Sequence, residues 1–168
     1  MGYRYTVTAT SLGAAVAVFA DDDRLVALGT AEDPLWVVEA VARELRGDLR
    51  AESADIAGLG RQLREFLAGS RRAFDVEIDW RLSQGFARDA LQAVAEIPYG
   101  ETASYGDVAA MAGRPRAARA VGTACRLTPL TLVVPVHRVI RSDGSLGEYG
   151  GREDVKRMLI DLERGARD

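Results

Sequence analysis

The sequence predicts two domains, an α/β N-terminal domain with a small antiparallel sheet over residues 1–80 and a helical C-terminal domain over residues 81–168. Two observations indicate this division. Segments typical of strands lie before Trp80, and segments with helical spacing of apolar residues fill the chain after it. A third observation, a short helix followed by a glycine-containing turn and a second helix, predicts a helix-turn-helix in the C-terminal domain.

The N-terminal domain is predicted to contain four strands and two helices. The strands alternate in polarity or are continuously apolar, and they are residues 3–9, 14–20, 25–28 and 74–78. Asp33-Pro34 is typical of a helix start because proline is favoured in the first turn, and helical spacing continues to Leu45. The second helix is predicted over residues 59–67.

The C-terminal domain is predicted to contain four helices and a turn. Ile97-Pro98-Tyr99-Gly100 ends the first helix, since proline disfavours a continuing helix and glycine permits a turn. Ser104 is a favourable N-cap, and Ser142-Asp143-Gly144-Ser145 is typical of a hairpin turn, so we expect a wing there. The predicted helices are Gln84–Glu96, Tyr105–Met111, Arg116–Leu127 and Glu153–Glu163.

Composition excludes several classes of protein. A chain of 168 residues that is 48% apolar can bury a substantial core. Its one cysteine and one histidine cannot form an internal disulfide or a zinc site by themselves, so we expect neither a metal nor a cofactor. No run of about 20 apolar residues is present, and we expect a cytoplasmic protein without membrane association.

The net charge is −3, but the charges are unevenly placed. Residues 1–80 carry 9 arginines against 14 acidic residues, whereas residues 81–168 carry 13 basic residues against 11 acidic ones. The window 108–142 contains six arginines and no acidic residue, namely Arg114, Arg116, Arg119, Arg126, Arg138 and Arg141. Such a window can face the phosphates of a nucleic acid, and a solvated basic face is the simpler alternative.

Pro135-Val136-His137-Arg138-Val139 is the most informative motif in the chain. It resembles the Pro-Cys-His-Arg-Val active-site motif of the O6-alkylguanine-DNA alkyltransferases, also called methylated-DNA–protein-cysteine methyltransferases. Their cysteine removes an alkyl group from a damaged guanine by irreversible transfer to its own sulfur. Further motifs of that family occur in its order and spacing between residues 86 and 163, namely Ile97–Gly100, Ser104-Tyr105, Ala117–Gly122 and Tyr149–Gly151.

This resemblance implies a winged helix-turn-helix domain that binds double-stranded DNA through the minor groove and rotates the damaged nucleotide into a pocket. The recognition helix would be Arg116–Leu127, in which Ala117 and Ala118 permit close approach and Arg126 contacts the backbone. Arg119 would occupy the space of the extruded base, and Tyr105 would press on the flanking phosphate. The pocket would be formed by Pro135, Val136, Tyr149, Gly150 and Cys125.

The resemblance also implies a catalytic arrangement, which this chain retains only in part. The family's histidine, oriented by a glutamate of the last helix, deprotonates the thiol through water, and His137 and Glu163 hold those positions. Val136 replaces the nucleophilic cysteine, and a branched hydrocarbon cannot attack an alkyl carbon. Thr128 replaces an asparagine that helps to order the site, which is a second departure.

Three functional hypotheses follow. The first is a monomeric, nucleoid-associated sensor that binds O6-alkylguanine without dealkylating it and marks it for another pathway, such as nucleotide excision repair. The second is a suicidal alkyltransferase whose cysteine was replaced by Val136 through engineering. The third is a winged-helix regulator with a vestigial pocket. Cys125 is also a candidate for a relocated nucleophile, although a free cysteine is more often a small buried apolar residue.

Overall fold

The structure is a computed structural model that describes residues 2–165. The chain forms two compact units. The first unit extends to Leu82 and also includes Pro129–Thr131, and the second begins at Ser83 and includes the rest of the chain. No helix within residues 2–165 is long and apolar enough to cross a membrane.

The N-terminal unit is built on a four-stranded sheet with the order β3-β2-β1-β4. Its strands are β1 (Tyr3–Thr10), β2 (Gly13–Ala20), β3 (Leu25–Ala31) and β4 (Leu49–Ala51). The first three are antiparallel, as predicted, but β4 pairs in parallel with β1, so the sheet is mixed. The sequence analysis missed β4, because three residues are too short to show an alternation.

One cluster of the core lies on the face of the sheet that packs against helix α1 (Pro34–Leu45). Val16, Val18 and Val26 are completely buried there, together with Val41 from α1. The predicted start of α1 is confirmed, since the Asp33 side chain accepts a hydrogen bond from the backbone N–H of Leu35. Burial of apolar residues from both elements holds the helix on the sheet.

The predicted strand at residues 74–78 is wrong. The backbone N–H and carbonyl of Asp75 bond the side-chain amide of Gln62 in helix α2 (Leu59–Leu67), at 2.7 and 3.1 Å. Only Ile78 forms a bridge with a strand, at Leu25. The buried side chain of Gln62 therefore forms the hydrogen bonds with the Asp75 backbone that a neighbouring strand would have formed in the predicted sheet.

Up to residue 165, the C-terminal unit contains four helices and a pair of very short strands. Helices α3 (Gly85–Ala95), α4 (Tyr105–Met111) and α5 (Ala118–Arg126) pack against one another. Strands β5 (Ala103–Ser104) and β6 (Val139–Ile140) pair in parallel, and α6 (Glu153–Glu163) follows. Between α5 and β6, a single 3₁₀ turn at Val136–Arg138 carries the central motif.

Helix α4 has the predicted bounds, whereas α5 starts two residues later and ends one residue earlier than predicted. Ser104 and Asp107 form a reciprocal capping box at the start of α4. Gly113 has a φ of 85°, a left-handed conformation that favours glycine, and it lets the chain turn after α4. Helix α5 begins at Ala118 rather than at the predicted Arg116, because the chain after Pro115 makes one more turn that places Ala117 at the N-cap.

Candidate functional site

The 3₁₀ turn brings His137 against Glu163 of α6. The Nε2 atom of His137 lies 2.6 Å from Oε2 of Glu163, and both side chains are almost completely buried. The two residues are 26 positions apart in sequence. The structure therefore brings into contact His137 and Glu163, the two residues that the family resemblance predicted to act together.

Arg138 and Gly100 complete a buried network around the same carboxylate. Arg138 donates from Nε to Oε1 of Glu163 at 2.8 Å and from Nη2 to Oε2 at 3.0 Å. Its Nη1 donates to the carbonyl of Ile97 at 2.7 Å. The backbone N–H of Gly100 donates to Oε1 of Glu163 at 3.0 Å. This two-point contact of a guanidinium with a carboxylate fixes the orientation of Glu163 and, through it, of the imidazole.

The charges of this network follow from its burial and its hydrogen bonds. Burial alone would raise the pKa of Glu163, but the hydrogen bonds from His137 and Arg138 outweigh burial and lower that pKa to about 2. Burial lowers the pKa of His137, against the opposing effect of Glu163. At neutral pH the pair is thus an ionised carboxylate and a neutral imidazole whose Nε2–H donates to Glu163, which leaves Nδ1 as the basic nitrogen.

We expect the free energy of unfolding to decrease as the pH falls from 7 to 5. The unfolded chain protonates its histidine below pH 6.5, whereas the folded chain, with a lowered pKa of His137, does so only at lower pH. The unfolded state then binds more protons, so acid destabilises the fold. Glu163 acts in the same direction at lower pH, because its stabilising contribution is lost as the pH drops from 4.5 towards 2.

His137→Gln tests this expectation, since His137 is the only histidine in the chain. Urea unfolding at pH 7, 6 and 5 should give a flatter pH profile for His137→Gln than for the unaltered protein. Equally steep profiles for the two proteins would show that His137 does not carry the acid dependence in this range.

Val136 occupies the first position of the 3₁₀ turn. Its side chain is 5% exposed, and its backbone N–H donates to the carbonyl of Val134 at 2.8 Å. Pro135, immediately before it, is the N-cap of the turn. Thr128 lies just after α5, half-buried, where its backbone N–H donates to the carbonyl of Cys125 at 3.4 Å. An apolar, non-nucleophilic side chain is therefore held next to the basic histidine.

Cys125, the only thiol in the sequence, is poorly suited to react. Burial raises the pKa of its thiol to about 12, although Lys156 opposes this rise. The thiolate is the reactive form, so the sulfur is almost entirely in its unreactive form at neutral pH. This argues against Cys125 as a relocated nucleophile.

Tyr105 and Tyr149 are partly buried, and Lys156 of α6 is buried. The Nζ atom of Lys156 is 3.4 Å from the hydroxyl of Tyr105 and donates to the backbone carbonyls of Leu146 and Glu148. Burial raises the pKa of Tyr149 to about 12. The sequence analysis overlooked Lys156, but its spacing on α6 with Leu159, Ile160 and Glu163 was a signal of a buried helix face.

The residues predicted to contact DNA lie on or beside α5. Arg119 and Arg126 are exposed, and Ala117 and Ala118 are partly exposed at the start of the helix. The guanidinium of Arg114 stacks over the ring of Phe86, 5.3 Å from its centroid. Gly150, with a φ of 58°, lies in the segment between β6 and α6. Within residues 2–165 no cluster of three or more histidine, cysteine or acidic side chains is arranged to hold a metal ion.

The sequence of this chain is similar to those of known proteins. Residues 85–165 match the family model described as the 6-O-methylguanine DNA methyltransferase, DNA binding domain. A methylated-DNA–protein-cysteine methyltransferase of Mycolicibacterium paratuberculosis is 49% identical over 108 residues, which span 64% of this chain and 65% of that protein. The constitutive methylated-DNA–protein-cysteine methyltransferase of Bacillus subtilis is 34% identical over 95% of this chain and 94% of its own length.

A solved structure extends the likeness to both units. The crystal structure of Mycobacterium tuberculosis OGT in complex with DNA is 34% identical, with a TM-score of 0.83, and the match covers 97% of this chain and 94% of that one. The fold is thus that of a DNA alkyltransferase, with an N-terminal α/β part and a helical C-terminal part. The chain belongs to the O6-methylguanine-DNA methyltransferase family.

Proposed function

We propose that this protein binds O6-alkylguanine in duplex DNA and leaves the alkyl group in place, so that it acts as a sensor of the lesion. The observation that carries the proposal is Val136 beside an intact pair of His137 and Glu163. The basic nitrogen is retained, but the atom that would accept the alkyl group is missing. The bound lesion would then be marked for another pathway, such as nucleotide excision repair.

The binding element is a winged helix-turn-helix, with α5 as the recognition helix and α4 as its support. The turn that follows β6 serves as the wing, since the backbone N–H of Arg141 donates to the carbonyl of Ser145 at 2.9 Å. Ala117 and Ala118 offer small side chains at the start of α5, where close approach to a minor groove needs them. The exposed Arg126 meets phosphate, and the exposed Arg119 enters the space of the extruded base.

A second candidate is a suicidal DNA alkyltransferase in which Val136 replaces a native cysteine. The M. paratuberculosis and B. subtilis relatives carry the name of methylated-DNA–protein-cysteine methyltransferase, and the His137–Glu163 pair retains a geometry suited to proton removal from a thiol. The codon for residue 136 in the genome distinguishes this candidate from the sensor. A regulator with a vestigial pocket, the third hypothesis, would instead bind damaged and undamaged duplexes equally.

A binding titration tests the sensor directly. Two duplexes of identical sequence, one with O6-methylguanine and one with guanine at the same position, are compared by fluorescence anisotropy at several salt concentrations. Affinity for both should decrease steeply with salt, because phosphate contacts release counterions. Tighter binding of the lesion duplex supports the sensor, and equal binding of the two duplexes would contradict it.

Two arginine substitutions on α5 should separate lesion recognition from general affinity. Arg119→Ala should remove most of the preference for O6-methylguanine, because the guanidinium no longer fills the vacated space in the duplex. Arg126→Ala should weaken both duplexes by a similar factor, because a phosphate contact carries no information about the base. The same titration measures both effects, and the matched control is Arg61→Ala on the exposed surface of α2. A preserved preference in Arg119→Ala would show that this residue has another role.

A further inference from the structure

Lys156, the only lysine in the sequence, is buried in a position where it holds a loop. It lies on α6 with 1% of its surface exposed. Its ammonium donates to the carbonyl of Leu146 and, at 3.4 Å, to the carbonyl of Glu148. These carbonyls belong to a stretch without regular secondary structure, residues 145–148, which follows the turn at Ser142–Gly144. We call residues Leu146–Gly150 the pocket loop.

The pocket loop also lies directly against Tyr105. A Cβ atom built on Gly147 would be 2.7 Å from the hydroxyl oxygen of Tyr105, so a side chain there would force Tyr105 to move, and the φ of 76° at this position also favours glycine. On its other side the Tyr105 ring faces Gly122 of α5, where a Cβ atom would be 3.9 Å away. The ammonium of Lys156 is 3.4 Å from the same hydroxyl and 5.7 Å from the ring centroid. Lys156 thus joins the loop, α4 and α6 through one charged group.

Burying the ammonium group of Lys156 costs free energy, and its hydrogen bonds must offset that cost. A carbonyl that loses a charged donor inside the protein is left without compensation for its lost hydration. An apolar residue at position 156 would suit the buried face that α6 presents through Leu159 and Ile160. Instead, the ammonium of Lys156 donates to two loop carbonyls, those of Leu146 and Glu148, which lie two residues apart.

We propose that Lys156 is a positioning residue that clamps the pocket loop against Tyr105, and that loss of its proton weakens these charge-assisted hydrogen bonds, loosens the loop and weakens lesion binding. The link to lesion binding rests on the proposed function. The clamp itself is a property of the free protein and can be measured without DNA.

The surroundings of Lys156 make the clamp sensitive to mildly alkaline pH. Burial lowers the pKa of Lys156 to about 8, and the charge of Arg141 acts in the same direction. Burial raises the pKa of both Tyr105 and Cys125, so these neighbours stay uncharged between pH 7 and 9. The titratable and charged groups that act on Lys156 or Tyr105 from the surrounding elements are Tyr105, Cys125, His137, Arg141, Glu148 and Glu153.

Global stability and lesion binding should respond in opposite directions to this titration. The folded chain releases the proton of Lys156 near pH 8, whereas the unfolded chain keeps it up to about pH 10.5. The unfolded state therefore binds more protons from pH 8 upward, and this group makes the fold more stable as the pH rises. A decrease in lesion binding over the same range would then not result from unfolding.

Hydrogen–deuterium exchange of the free protein, corrected for the intrinsic pH dependence of exchange, measures the opening of the pocket loop. Lys156→Met keeps the apolar stem and removes the charge, and exchange of residues 146–150 should become about tenfold to a hundredfold faster at pH 7. In the unaltered protein the corrected exchange of the loop should rise between pH 7 and 9. Lys156→Arg, which stays charged, should show no such rise.

The same proteins are then titrated with the two duplexes at pH 7 and 8.5. The preference of the unaltered protein for O6-methylguanine over guanine should decrease about fivefold or more at pH 8.5. Lys156→Met should show this reduced preference at both pH values. Three outcomes decide the proposal. Unchanged exchange of the pocket loop in Lys156→Met would overturn the clamp. If Lys156→Met does not fold, the unaltered protein decides, because corrected loop exchange that stays flat between pH 7 and 9 overturns the clamp and exchange that rises supports it. If the unaltered protein binds the two duplexes equally, the proposed function fails and the exchange data still decide the clamp.

Discussion

Val136→Cys should transfer a methyl group from O6-methylguanine in duplex DNA to its own residue 136, a reaction that the unaltered protein should not perform. The new thiol would lie one residue before His137, whose Nε2–H is held by Glu163 at 2.6 Å. The remaining basic nitrogen can take the thiol proton through water, and the thiolate is the reactive nucleophile. Because the methyl group replaces the thiol proton, intact mass after incubation with the methylated duplex should increase by the mass of one methylene group, and peptide mapping should place the added methyl at residue 136.

Two controls make this result specific. Val136→Ser offers a hydroxyl in the same place and should remain unmethylated, because its oxygen is a far weaker nucleophile. Adding His137→Gln to Val136→Cys should greatly reduce transfer if the imidazole is the base. A methyl group on Cys125 of the unaltered protein would overturn the sensor proposal and the argument from the high pKa of that thiol.

Recovery in Val136→Cys should be incomplete, because Thr128 is shorter than the asparagine of the family and lacks its amide. The loss of one or two ordering hydrogen bonds costs about 1–3 kcal/mol, or roughly a tenfold to hundredfold decrease in rate. Thr128→Asn combined with Val136→Cys should therefore raise the single-turnover rate by up to that factor. Full activity of Val136→Cys alone would instead favour the second candidate, an alkyltransferase that lost only its cysteine.

Glu163→Ala should strongly destabilise the C-terminal unit. It removes the shared acceptor of His137, Arg138 and the Gly100 amide, and it leaves the buried guanidinium without its anion. Removing one partner of a buried charged pair typically costs about 3–5 kcal/mol. The free energy of unfolding from urea titration at pH 7 measures the loss.

The matched control is Glu65→Ala, which removes a carboxylate that pairs with Arg61 and Arg71 near the surface of α2. Water screens that interaction, so a much smaller change is expected. A loss for Glu163→Ala no greater than that for Glu65→Ala would show that the buried network does not stabilise the fold.

Much of the candidate site could be predicted from the sequence, because its parts lie in short contiguous motifs. Residues 135–139 form one such motif, and the capped helix after Ser104 is another. A helix depends largely on neighbours three and four positions apart, so the start of α1 and all of α4 and α6 could be inferred from local pattern. The replacement of a nucleophile by valine needs no structure to recognise.

Tertiary structure decided the contacts between distant segments. Residues Pro129–Thr131 join the N-terminal unit, where the N–H of Leu28 donates to the carbonyl of Pro129 and its carbonyl accepts from Thr131. The Gln62 side chain displaces the strand predicted at residues 74–78, and β4 turns the expected antiparallel sheet into a mixed one. None of these contacts produces a periodic pattern in the nearby sequence, so none could be predicted from it.

The same distinction applies to charge. The sequence by itself determined which ionisable groups are present, namely His137, Glu163, Cys125 and a single lysine at position 156. Only the fold decided that the lysine is buried beneath the pocket loop, that the thiol is kept protonated and that the imidazole is neutral. The physical reason is that protonation depends on lost hydration and on the distance to other charges, and both are set by residues far away in sequence.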